Sequence, residues 1–144
     1  MYSCIVVGTD GSETAQRAVA AAGDLARLAG ASLEIVSAYS PRPAVHGEMF
    51  AVPDDAWVVN AREVVEATLA DAVERLQGSG LAVTTYTHEG DPADAILDVA
   101  EERGADLIVV GNKGMTGARR FLLGSVPNRV SHHAPCSVLI IRTT

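Results

Sequence analysis

Residues 107–125 read Leu-Ile-Val-Val-Gly-Asn-Lys-Gly-Met-Thr-Gly-Ala-Arg-Arg-Phe-Leu-Leu-Gly-Ser. The stretch opens with four large apolar residues and then changes to a glycine-rich segment. A continuous apolar run of this kind is typical of a strand buried on both faces of a parallel sheet. Glycines directly after such a strand let the backbone turn and approach a ligand closely. The stretch therefore predicts a strand, a glycine-rich loop and the start of a helix.

The alternation of strands and helices continues along the rest of the chain. Strands are predicted at residues 5–7, 33–39, 81–87, 107–110 and 137–141. Apolar residues at three- to four-residue spacing predict helices between them. Asp91-Pro92 is a strong helix start, since aspartate caps backbone N–H groups and proline fits the first turn. This order predicts an α/β fold with parallel strands and helices on both faces of the sheet.

Two stretches at the edges of these elements carry further predictions. The last helix is predicted from Val126 to about His133, with Ser125 as its cap. Residues 40–57 contain three prolines and are predicted to form a long irregular connection. Connections of that length are usually functional or mobile.

Length and composition indicate one globular domain spanning residues 1–144, since 48% of the residues are apolar. No apolar run approaches the roughly 18 residues of a membrane helix. The first residues lack the features of a signal peptide. Cys4 and Cys136 lie far apart and match no metal-binding spacing, so they are interpreted as reduced thiols. The sequence predicts a cytoplasmic protein that does not enter a membrane.

The charges are distributed unevenly along the chain. The formal charge is −7, which argues against nucleic acid or an anionic membrane as partner. Residues 107–144 nevertheless contain no Asp or Glu, and their five bases are Lys113, Arg119, Arg120, Arg129 and Arg142. A local anion site near this end of the chain is therefore compatible with the acidic total.

Two strand ends carry the residues of a predicted phosphate site. Gly8-Thr9-Asp10-Gly11-Ser12 follows the first strand, and Gly111-Asn112-Lys113-Gly114 follows the fourth and leads to Gly124-Ser125. In open α/β sheets ligands bind beyond the carboxyl ends of the strands. Exposed N–H groups at such turns and at a helix N-terminus attract anions.

Each of these features also has an ordinary structural interpretation. Gly111 and Gly114 can simply end a strand, and Ser125 is a good helix cap in any setting. Asp10, taken alone, is better explained as a cap of the first helix. Lys113, Arg119 and Arg120 can form a solvated loop face.

Known catalytic patterns do not occur in the chain. It lacks a Gly-x-x-x-x-Gly-Lys-[Ser/Thr] loop, a Gly-x-Gly-x-x-Gly after the first strand and a Gly-x-Ser-x-Gly elbow. No base or nucleophile can be assigned from the sequence. This favours a binding module over a fast enzyme.

The combined motifs resemble those of the universal stress protein family over the whole chain. The spacing Gly111-x2-Gly114-x9-Gly124-Ser125 matches the family's nucleotide motif, and Ile5–Ser12 and His133–Ile141 are similar to its opening and its close. The resemblance implies a Rossmann-like, adenine nucleotide alpha hydrolase-like fold. It further implies an open five-stranded parallel sheet in the order 3-2-1-4-5, with the nucleotide between strands one and four.

The resemblance also implies a role for individual residues. Asp10 would lie near the ribose or near Mg²⁺ bound to the phosphates, and Thr9 and Ala38 would flank the adenosine. The ribose and phosphates would be held by Gly111, Asn112, Lys113, Gly114, Gly124, Ser125 and Val126. No residue is assigned a catalytic role.

The identity of the nucleotide is less closely fixed. The nine-residue spacing resembles the ATP-binding type, so ATP with Mg²⁺ is expected first. Pro127 follows Val126, however, and proline lacks an N–H donor. Some relatives with a similar Gly-Ser-Val-Pro segment bind cyclic AMP in preference to ATP, which makes cyclic AMP the alternative ligand.

The expected function is that of a stress-response regulator acting through nucleotide occupancy and contacts with an unidentified protein partner. The alternatives are a slow ATPase or self-phosphorylating enzyme, with Ser125 or another hydroxyl as acceptor, and a nucleotide-free dimerisation scaffold. The last strand, Ser137–Ile141, would be an apolar sheet edge without a protecting Lys or Pro. The resemblance implies that it pairs antiparallel with a second copy, giving a homodimer.

Overall fold

A computed structural model of the chain describes residues 1–40, 54–112 and 123–143. Within these ranges strands and helices alternate from end to end. The strands are β1 (Cys4–Gly8), β2 (Ser32–Tyr39), β3 (Val83–Glu89), β4 (Leu107–Gly111) and β5 (Ser137–Ile141). The helices are α1 (Glu13–Ala29), α2 (Asp54–Arg75), α3 (Pro92–Arg103) and α4 (Ser125–His133).

The five strands form one parallel sheet in the order β3-β2-β1-β4-β5, which confirms the predicted order. β1 pairs with β2 on one side, where Val7 lies opposite Ile35, and with β4 on the other, where Val7 lies opposite Val109. The chain thus winds outward from β1 in both directions. The gap between the carboxyl ends of β1 and β4 is the topological switch point, where α/β sheets bind ligands.

Each face of the sheet supports its own apolar core. Ile5 and Val7 of β1 pack in the core under α1 and α2, together with Leu33 and Leu69. The intervening Val6 packs on the opposite face under α3 and α4, where Val130 is fully buried. Burial of both faces explains why β1 and β4 are continuous apolar runs.

No helix in the described ranges is long and apolar enough to cross a membrane.

The ends of α1 and α3 follow their sequence signals. Asp91 caps α3, because its carboxylate accepts the N–H groups of Ala93 at 2.8 Å and Asp94 at 3.2 Å. Gly30 and Gly104 end α1 and α3 in the left-handed conformation, with φ of 68° and 61°. This conformation is far less costly for glycine than for other residues.

Three predicted details are wrong. Asp10 does not cap α1, because the N-cap is Ser12, whose hydroxyl accepts the N–H of Ala15 at 3.2 Å. Helix α2 begins at Asp54, so residues 54–57 are helical rather than irregular. β3 spans Val83–Glu89 instead of 81–87, because its pairing with β2 continues to Glu89 opposite Tyr39.

Cys4 and Cys136 are both free, as expected.

A buried carboxylate lies in the sheet on the α3 side. Glu34 of β2 is only 1% exposed. It accepts hydrogen bonds from the hydroxyl of Tyr86 at 2.8 Å and from that of Ser32 at 3.3 Å. The guanidinium of Arg103 at the end of α3 lies 3.9 Å away. A buried charge is tolerated only with partners of this kind, so these contacts tie β2, β3 and α3 together.

We expect Tyr86→Phe to lower the free energy of unfolding by about 1–3 kcal/mol at pH 8, because Glu34 loses a hydrogen-bond donor. Burial, followed by the hydrogen bond to Glu34, raises the pKa of Tyr86 to about 12, from an ordinary value near 10. A raised folded-state pKa gives stability that is complete below pH 10 and is lost as the pH rises toward 12. Urea unfolding of wild type and variant from pH 8 to 12 checks this. The stability difference should shrink above pH 10, and a constant difference would contradict the assignment.

Candidate functional site

A cavity of ≈ 330 Å³ opens at the carboxyl ends of the central strands. It lies at the switch point between β1 and β4 and is also bordered by β2 and by the first turns of α1, α3 and α4. The described residues that line it are Gly8, Thr9, Asp10, Thr14, Ala15, Val36, Ala38, Pro92, Ile96, Val110, Gly111, Ser125, Val126 and Pro127. The volume is at the lower end of the range for small-molecule sites.

One part of this cavity is an apolar slot. Val36 and Ala38 of β2 form one wall, and Pro92 and Ile96 of α3 form another. Gly8 at the end of β1 lets Ile96 of α3 pack directly against the β1 backbone, since a Cβ atom there would lie 2.5 Å from Cδ1 of Ile96. Apolar walls of this kind accept an aromatic ring.

The turn after β1 brings a carboxylate to the cavity. The N–H of Thr9 donates to the carbonyl of Val36 at 2.9 Å, which fixes the turn against β2. Oδ1 of Asp10 accepts the N–H of Ser12 at 3.0 Å, and Gly11 takes a φ of +81° between them. Asp10 is exposed and is the only titratable side chain among the described lining residues.

The N-terminus of α4 forms the part of the cavity suited to an anion. The prediction that Ser125 caps this helix is wrong: the N-cap is Gly124, and Ser125 is the first helical residue. The side chain of Ser125 is therefore not used as a cap and lines the cavity instead. The first N–H groups of a helix have no partner within the helix and carry partial positive charge. Pro127 in this first turn contributes no N–H group.

Asn112 lies just beyond β4 and is buried. Its side-chain oxygen accepts the N–H of Thr143 at 2.8 Å and the hydroxyl of Thr143 at 3.0 Å. The carbonyl of Thr143 in turn accepts from Arg17 of α1 at 3.1 Å. This latch joins the end of the chain to the start of the glycine-rich segment and to α1. The side-chain oxygen of Asn112 thus stabilises the fold at the base of the site.

The structure brings most of the predicted site residues together. Thr9, Asp10, Ala38, Gly111, Ser125 and Val126 line one cavity. Gly124 caps the helix beside it, and Asn112 lies next to Gly111 with its side chain directed at Thr143. Lys113, Gly114, Arg119 and Arg120 lie outside the described residues.

Arg129, one of the five bases near the predicted anion site, is paired with carboxylates outside the described cavity lining. Its guanidinium contacts the carboxylates of Asp91 and Asp94 on α3. It is absent from the described lining of the cavity. The sequence could not reveal this pairing, because the two partners are separated from Arg129 by more than thirty residues.

Several lining residues were not predicted from the sequence. They are Thr14, Ala15, Val36, Pro92, Ile96 and Val110; Gly8 and Pro127 also line the cavity and belong to segments that the sequence analysis singled out. Most of them are apolar and carry no chemical signature. Their position in the first turn of a helix, or near the end of a strand that precedes one, was the available signal.

Comparison with known proteins gives a consistent family assignment. The model of the universal stress protein family matches residues 1–142. Universal stress protein Rv1636 of Mycobacterium tuberculosis is 40% identical over 144 residues, which cover 99% of this chain and 98% of the relative.

Solved structures with the same fold include two with bound nucleotides. One is a universal stress protein in complex with cAMP, which is 35% identical with a TM-score of 0.77 and covers 99% of this chain and 98% of its own. Another is the universal stress protein from Archaeoglobus fulgidus in complex with dAMP. It is 28% identical with a TM-score of 0.66 and covers 98% of both chains.

Proposed function

Since the chain belongs to the universal stress protein family, we propose that it binds an adenine nucleotide in the cavity between β1 and β4. In this proposal it acts as a regulatory protein through nucleotide occupancy and contacts with a protein partner. The observation that carries the proposal is the pairing of an apolar slot with the N-terminus of α4 in one cavity. A flat base and an anionic phosphate together need these two environments. Bound cAMP and dAMP in similar proteins support it.

The residues fit the two halves of such a ligand. Adenine would lie between Ala38 and Ile96, and the phosphate would accept N–H groups at Ser125 and Val126. Thr9 and Asp10 would face the ribose or the phosphate. Gly111 would border the ligand through its backbone from the side of β4, since a Cβ atom there would face Thr143 at 3.4 Å. The free thiols of Cys4 and Cys136 agree with a reducing compartment such as the cytoplasm.

ATP with Mg²⁺ remains the first ligand, on the strength of the glycine spacing in residues 111–125. Mg²⁺ is commonly held by one or two carboxylates together with phosphate oxygens, and Asp10 offers one carboxylate at the cavity. The charge on a triphosphate would further require the bases of residues 113–120. Lys113 is one of these bases, and we propose that it contacts the triphosphate. Gly114 of the same glycine motif is a further proposed contact.

Cyclic AMP is the second candidate, and Pro127 favours it. The described lining of the cavity contains no cationic side chain. In the first turn of α4, Pro127 provides no N–H donor. A cyclic phosphate carries one negative charge, so it needs fewer donors than a triphosphate.

Calorimetric titration of the full chain distinguishes these ligands. We expect both cyclic AMP and ATP with Mg²⁺ to bind, and GTP with Mg²⁺ to bind at least about tenfold more weakly, because the slot is shaped by apolar walls rather than by guanine-specific groups. Removing Mg²⁺ should weaken ATP by about tenfold or more and leave cyclic AMP unchanged. Absence of binding by every adenine nucleotide would contradict the proposed function.

We further propose a homodimer that forms through β5. This strand is an edge of the sheet, and its Ile140 is 37% exposed. An apolar edge strand presents unpaired backbone groups to another chain. Antiparallel pairing of two β5 strands would cover both the edge and Ile140.

Ile140→Lys should weaken this dimer by at least about tenfold, because a buried lysine at the pairing edge opposes association. Leu28→Lys is the matched control: Leu28 is 87% exposed on α1, away from the edge. Sedimentation equilibrium at micromolar concentration measures both variants. A monomeric wild type, or equal association of the two variants, would rule out the β5 interface.

A further inference from the structure

Arg129 joins α3 and α4, two of the three helices whose N-termini border the cavity. One of its terminal nitrogens lies 3.3 Å from Oδ1 of Asp91, and the other lies 2.7 Å from Oδ1 of Asp94. Asp91 is the N-cap of α3 and Asp94 belongs to its first turn. The contact therefore connects the second turn of α4 to the start of α3.

Both ends of this contact adjoin residues that line the cavity. Pro92 lies between Asp91 and Asp94 and belongs to the cavity wall. On α4, Pro127 lies two residues before Arg129 and also lines the cavity. The three charged groups thus form part of the electrostatic surroundings of any ligand held there.

The sign of these charges matters for an anionic ligand. Two carboxylates at the start of α3 suit the positive end of that helix, but they would repel a phosphate at the neighbouring cavity. Arg129 offsets one of the two negative charges while contacting both groups. Without the arginine, the same rim would carry a net charge of −2 rather than −1.

The contact has little to do with overall stability. The side chains of all three residues are about half exposed, and ion pairs with that exposure contribute little to folding. Folding stability therefore does not explain why these ion pairs join the two helices that line the cavity.

We infer that Arg129 is a positioning residue for the nucleotide, which keeps the α3 side of the cavity receptive to a phosphate by holding and neutralising Asp91 and Asp94. This inference rests on the proposed nucleotide function. It concerns a residue outside the described lining of the cavity.

The test compares cyclic AMP, which is charged, with adenosine, which is uncharged and carries the same adenine base. We expect Arg129→Gln to weaken cyclic AMP by about fivefold and adenosine by less than about twofold, because only the nucleotide carries the charge that the carboxylates repel. Arg129→Lys keeps the positive charge and should stay within about twofold of wild type for cyclic AMP. Adding Asp94→Asn to Arg129→Gln should restore most of the affinity, since it returns the net charge of this rim from −2 to −1.

The outcomes separate this inference from the proposed function. If wild type binds no adenine nucleotide, ATP with Mg²⁺ included, the proposed function fails and the inference fails with it. If wild type binds both cyclic AMP and adenosine but Arg129→Gln binds cyclic AMP equally well, the inference alone is wrong. Equal losses for cyclic AMP and adenosine would also overturn it, because they would indicate a change of shape rather than of charge.

The loss of cyclic AMP affinity in Arg129→Gln should become smaller as the salt concentration rises.

Discussion

Ser125→Asp should reduce the affinity for cyclic AMP and for ATP by about 100-fold or more, because it places a carboxylate where the phosphate is proposed to lie. Ser125 is exposed, it is the first residue of α4 and its side chain is not used as a cap. An acidic residue in the first turn is favourable for a helix. The variant should therefore fold at least as well as wild type and lose ligand affinity without losing stability.

Asn128→Asp provides the matched control for this variant. It introduces the same charge on the same helix, one turn further along, at an exposed position outside the described cavity lining. Calorimetry should show at most about tenfold weakening for this control, because its charge lies one turn further from the proposed phosphate than that of Ser125→Asp. Unchanged nucleotide affinity in Ser125→Asp would mean that α4 does not face the phosphate.

Asn112→Ala should lower the free energy of unfolding by about 2–3 kcal/mol, because it leaves two donors of Thr143 without their acceptor in a buried site. Both residues are buried, and the hydrogen bonds are 2.8 and 3.0 Å long. Thr143→Val removes the hydroxyl donor alone and should cost about 1 kcal/mol. Urea unfolding measures all three proteins.

The exposed Asn60 on α2 is the control for Asn112, and Asn60→Ala should change stability by less than about 0.5 kcal/mol. The result distinguishes two roles for Asn112. The family resemblance implies a contact with the nucleotide, whereas the structure uses its side-chain oxygen within the fold. If Asn112→Ala costs no more than Asn60→Ala, the latch to Thr143 does not stabilise the protein.

The order of elements could be predicted because it depends on local signals. β5 was predicted with the observed bounds, and Asp91 caps α3 as expected, because these patterns involve neighbouring residues only. The limits of β3 were predicted two residues too early, at 81–87 instead of Val83–Glu89. They are set by pairing with β2, and a strand's pairing partner cannot be read from its own residues.

The parts of the site that are formed by strand ends and turns could be predicted from the sequence. The side-chain contacts between residues far apart in the chain could not. Glycines and Asp10 at strand ends are visible in a sequence, and several of them do line the cavity. The contacts of Asn112 with Thr143, of Arg129 with Asp94 and of Glu34 with Tyr86 join residues far apart in the chain. Such pairs depend on how the layers pack, which periodicity does not specify. Glu34 in particular reads as a polar interruption of a strand, yet it is a buried charge with its own partners.

The central claim is that the nucleotide lies between β1 and β4 rather than elsewhere on the protein. An alternative location is a larger cavity of ≈ 510 Å³ between α1 and α2, which is lined in part by Val64, Thr68 and Leu76. The most direct measurement is ¹H–¹⁵N chemical-shift mapping of the full chain during titration with cyclic AMP. The account predicts that the largest shifts occur at Gly8, Asp10, Ala38, Gly111, Ser125 and Val126. Largest shifts at Val64, Thr68 and Leu76, with Ser125 and Gly111 unmoved at saturation, would contradict it.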